Sequence, residues 1–135
     1  MSLRGLRSVT DLRRLEEREA LLELWLARTL EADRRSAVPR PVAPLRAQVL
    51  SGADLSASML LADLSQSHRE HCLKLLSEAE AASGTARSHW AEAASAHRAL
   101  ERLLARKHLE QRTRRAKKAQ ADIDEAALVM WGRQQ

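Results

Sequence analysis

The chain has 135 residues and a formal net charge of +5, from 23 Lys and Arg against 18 Asp and Glu, with five His counted neutral. Phe and Tyr are absent, Trp occurs three times and Cys once, and the apolar share is mostly Ala and Leu. This set disfavours a compact globular core, which needs large aromatics and β-branched residues, and it disfavours sheet; an all-α fold of long, solvated helices is expected instead.

The first periodic segment spans 9–36. Leu12, Leu15, Leu22, Leu26 and Thr29 fall on alternating three- and four-residue steps when Glu19 is counted as a polar member, and this stripe is expected to face a partner helix. Thr10 or Ser8 could accept the first free amides, with Asp11 favourable at the positive end of the helix dipole. Pro39, Pro41 and Pro44 remove amide donors and push the residues before them out of the α region, so the helix ends near Ser36 or Ala37.

A connection over 37–53 follows. It holds a short apolar piece, Leu45 to Leu50, and a turn at Ser51-Gly52. A long helix is then expected over 54–131, which contains no Pro and one interior Gly before its last residues, Gly84. Its heptad runs through Leu55, Ala62, Arg69, Leu76, Ser83, Trp90, His97 and Leu104, with Ser58, Ser65, Cys72, Ala79, Ala86, Ala93 and Leu100 at the alternate core positions. So small and polar a seam removes little apolar area, and a marginal hairpin that firms up on partners is expected.

Two amphipathic helices joined by a compact reversal predict a single domain, an antiparallel two-helix coiled-coil hairpin. The helices differ in length. The first is expected to cover the early part of the second, leaving the C-terminal half to project alone.

Nothing in the sequence reads as catalytic. His68 and His71 share a helix face, but with one Cys, no His-Glu-x-x-His motif and no converging second pair, no metal, cofactor or small-molecule substrate is expected. Glu16 and Glu17 are solvated carboxylates rather than an acid and base in a dry cleft. Cys72 has no internal disulfide partner, no run approaches the ~20 apolar residues of a membrane span, and residues 1–10 lack a signal-peptide pattern; a reduced, cytoplasmic protein is expected.

The basic stretch from Arg98 to Lys118 could hold phosphates. It follows the weak heptads instead of preceding them, and no aromatics interleave it, so nucleic acid ranks behind protein as a partner.

Three features in order resemble the FliJ/YscO stalk proteins of bacterial flagellar and type III secretion export machines. They are the opening helix with Leu12-Arg-Arg-Leu-Glu-Glu-Arg-Glu-Ala20, the turn Ser51-Gly-Ala-Asp-Leu55 leading into the long helix, and the pair Arg98-Ala-Leu-Glu-Arg-Leu103 and Ala121-Asp-Ile-Asp-Glu-Ala126. The resemblance covers nearly the whole chain. It implies a hairpin like the shaft of a rotary ATPase, seated in the pore of a hexameric export ATPase and touching the cytoplasmic domain of the export gate, with export chaperones as further partners. It places the ATPase-facing surface at Arg13, Arg14, Glu17, Arg18, Arg102, Arg106, Asp124 and Glu125. The family's gate-facing stripe, an aromatic, Leu, a small residue and His, falls on Leu60, Leu64, Ser67 and His71, with Leu60 in the place of the aromatic. Leu60 and Leu64 could equally pack on the first helix.

The function so implied is a cytoplasmic adaptor, peripheral to the inner-membrane export apparatus, that promotes assembly of the ATPase ring and couples it to the gate. A basic coiled coil binding nucleic acid, or a plain structural coiled coil, are the alternatives.

Overall fold

The computed structural model describes residues 1–41 and 52–135, with side chains from Asp54 onward in the second stretch. These residues form two α-helices and no strand: α1, Leu3–Ala37, and α2, Gly52–Arg133. The Leu45 to Leu50 piece and Ser51 of the expected turn lie outside the described residues.

α1 begins six residues earlier than periodicity predicted, because Ser2 caps it. The Ser2 hydroxyl accepts the amide of Gly5 at 3.1 Å, and its carbonyl accepts that of Leu6 at 2.9 Å. Thr10 is no cap. Its Oγ1 donates to the carbonyl of Leu6 at 2.8 Å, as Ser8 donates to Arg4, both inside the helix. At the other end α1 stops two residues before Pro39, where proline sterics place the boundary. In α2, Gly84 is tolerated as a regular helical residue, and a Cβ there would meet nothing within 4 Å.

The fold is all-α, an antiparallel two-helix hairpin whose second helix runs on past its partner. Contacts divide it into two units, Met1–Glu17 with Ala93–Gln135, and Arg18–Glu92. In the first unit Arg7 pairs with His108, Arg14 with Glu101 and Glu17 with His97, so numbers fall along α2 as they rise along α1. Its core is Leu6, Thr10, Ala94 and His97, and every residue from Gln111 to the last is exposed. In the second unit Glu23 pairs with His89 and Arg35 with Glu80, again antiparallel. Its core is Ala20, Leu24, Cys72, Ala79 and Ser83.

The α2 heptad is observed with its predicted phase. From Arg69 to Leu104 every predicted core position, together with Ser58 and Ser65, is buried or half-buried; only Leu55 and Ala62, near the start, are exposed.

α1 requires a correction. Its inward positions are Leu6, Thr10, Glu17, Ala20, Leu24, Ala27 and Glu31, whereas Leu12, Leu15, Leu22 and Leu26 are 54–57% exposed and Thr29 is exposed too. A small, polar α2 seam pairs best with small, polar α1 residues that let the backbones approach, while leucines opposite Ala79 and Ser83 would hold them apart.

The expected coverage is corrected as well. α1 pairs with the middle of α2, between residues 80 and 108, and not with its beginning. There His89, His97 and Glu101 meet Glu23, Glu17 and Arg14, cross-helix pairs that favour this register.

Candidate docking faces

The best-built polar cluster lies in the first unit. His97 Nδ1 donates to Glu17 Oε2 at 2.5 Å, with side-chain exposures of 10% and 24%. Glu101 Oε1 stands 3.4 Å from His97 Nε2, close enough to pair with a protonated ring but not aligned for a hydrogen bond. Arg14 reaches the same Glu101 at 3.9 Å. About two turns beyond Glu101 along α2, Arg7 donates to His108 Nε2 at 3.2 Å. Residues Arg7, Thr10, Asp11, Arg14, Glu101, Leu104, Ala105 and His108 line a shallow open groove there. A chain of cross-helix polar pairs fixes the register of two helices whose apolar contact is slight.

The residues assigned to ATPase docking divide into separate groups. In the first unit Arg13 is tied along its own helix to Glu16 at 2.7 Å, while Arg14 and Glu17 point their charges at α2. Arg102 and Arg106 are exposed on α2 and share a face at four-residue spacing. Asp124, which accepts the side-chain amide of Gln120 at 2.8 Å, and Glu125 lie some 20 residues on, roughly 30 Å along the helix from Arg102 and Arg106. Arg18 belongs to the second unit and is exposed. Glu17 is thus engaged within the fold.

The residues that the resemblance assigns to the gate, Leu60, Leu64, Ser67 and His71, form one exposed stripe in the second unit, with Leu60 and Leu64 61% and 59% exposed. The alternative, that these leucines pack on α1, is therefore excluded. Met59 and Leu61 beside them are equally open, at 61% and 67%. Among the described residues no three His, Cys, Asp or Glu side chains converge as metal ligands, and no described helix is long and apolar enough to cross a membrane.

Sequence reasoning missed the inward face of α1 and its pairs with α2. The available signal was Glu17, Ala20, Leu24, Ala27 and Glu31, which keep the heptad spacing of the α2 seam and match its side-chain sizes. No protein-family model matches the chain, nor does any curated protein or solved structure.

Proposed function

We propose that the chain is a non-enzymatic stalk of a flagellar or type III export apparatus, promoting assembly of the hexameric export ATPase and coupling it to the cytoplasmic domain of the export gate. The reading rests on the antiparallel hairpin, with 35 residues in α1 and 82 in α2, taken with the motifs that resemble the FliJ/YscO proteins. It places the chain in the cytoplasm, peripheral to the inner membrane. A rod lodged in a ring of identical subunits meets them unequally, so differential binding favours ring closure and different conformations around it. Arg102 and Arg106 are exposed and have no ion-pair partner among the described residues, as an electrostatic docking face requires.

The test is the turnover and oligomeric state of a purified export ATPase with and without the chain in slight excess over hexamer. Stimulated turnover with hexamer formation is expected. Changing Arg102 and Arg106 together to Ala should raise the half-stimulating concentration about tenfold. No effect and no co-migration would refute the proposal.

One observation favours a second reading. Arg112, Arg114, Arg115, Lys117 and Lys118 are exposed and none is ion-paired among the described residues, as a phosphate-binding strip would need. Nucleic-acid binding there would weaken steeply with salt, because each phosphate contact releases counterions.

A further inference from the structure

In the second unit α1 carries more leucine than its seam takes in. Its inward positions are Ala20, Leu24 and Ala27, while Leu21, Leu22, Trp25, Leu26 and Leu30 are 49, 57, 61, 54 and 47% exposed. At about 100° per residue, Leu22, Leu26 and Thr29 lie across the helix from Leu24, with Trp25 and Leu30 on the two flanks. Together these side chains present on the order of 500 Å² of apolar surface, near the upper end of what a monomer leaves uncovered.

The charges bordering this patch say what fits it. Arg18 lies just before it and Asp33 just after; both are exposed and neither has an ion-pair partner among the described residues. Residues 18 and 33 are equally far from the midpoint between Trp25 and Leu26. A second copy laid antiparallel about that midpoint sets Arg18 of each chain against Asp33 of the other and Leu22 against Thr29, with Trp25 and Leu26 of both chains gathered beside the two-fold. A parallel, in-register pair would instead stack Arg18, Glu19 and Asp33 on their own kind, which is repulsive. Self-complementarity about a two-fold is the defining property of an isologous interface.

We propose that this face of α1 binds a second copy of the chain, giving an antiparallel dimer with its two-fold beside Trp25 and Leu26. Two such patches bury roughly 1,000 Å², the lower limit for a specific interface, so association is weak and concentration-dependent. The inference does not rest on the export reading.

Sedimentation equilibrium of the full chain from about 1 to 200 μM tests it. A monomer–dimer equilibrium is expected. Leu22→Lys with Leu26→Lys should keep its helical circular dichroism and remain monomeric throughout. Arg18→Asp or Asp33→Arg alone should each raise the dissociation constant about tenfold, and mixing the two variants, or combining both changes in one chain, should restore it to within about twofold. A wild-type chain monomeric over the whole range, a Leu22 and Leu26 variant that dimerises unchanged, or charge reversals that do not rescue one another would each overturn the proposal.

Discussion

Ser83 sits on the α2 seam with 2% of its surface exposed, and its hydroxyl has no hydrogen-bond partner among the described residues. A buried hydroxyl left unpaired loses its water bonds without replacement, and serine is also the poorer helix former. Ser83→Ala is therefore expected to stabilise the hairpin by about 1 kcal/mol, read as a higher urea midpoint with unchanged slope. A lower midpoint would mean that the hydroxyl has a partner in solution. His97 is the contrasting case. Also buried, it is held by Glu17 through Nδ1, while its Nε2 has no hydrogen bond among the described residues, so polarity at this seam position is compensated in part where that of Ser83 is not.

At the scale of the helix, which face of α1 points inward decides which leucine supports the fold. Leu24 is 4% exposed and Leu22 57%, two residues apart on one helix. Leu24→Ala should cost about 2–3 kcal/mol, since it removes one of the few large side chains in the seam, while Leu22→Ala should stay within about 0.5 kcal/mol in dilute solution. Comparable losses at both positions would restore the leucine stripe as the buried face.

α2 was legible because its heptad had one candidate register, marked by Leu76, Trp90, Leu100 and Leu104, and the structure keeps it. α1 offered two registers half a helix apart. Hydrophobicity favours the stripe of Leu12, Leu15, Leu22 and Leu26, but the partner surface prefers Thr10, Ala20 and Ala27. Size matching and cross-helix charge pairs decide that choice, and they are properties of the pair of helices rather than of either sequence alone. The N-terminal boundary was misplaced for a local reason: Ser2 caps as well as Ser8 or Thr10, and Gly5 does not stop a helix so close to its start.

For the molecule as a whole, the least supported stretch is the C-terminal part of α2. All residues after Glu110 are exposed, and the hydrogen bonds from 113 to 124 are between residues four apart on the same helix. Such a segment is helical because it continues a helix already nucleated by packing; propagation is cheap where nucleation is not. Deleting residues 116–135 should therefore lower the helical signal in proportion to the helix removed while leaving the thermal midpoint of the hairpin within about 2 °C. Because Leu22, Leu26, Arg18 and Asp33 are untouched, self-association should also persist. The same deletion removes Asp124 and Glu125 but keeps Arg102 and Arg106, so on the export reading it should cut stimulation of the ATPase about tenfold with the fold intact. A large fall in the midpoint would show that the tail packs against the hairpin. Full stimulation by the shortened chain would confine ATPase docking to the arginine face and remove the acidic pair from it.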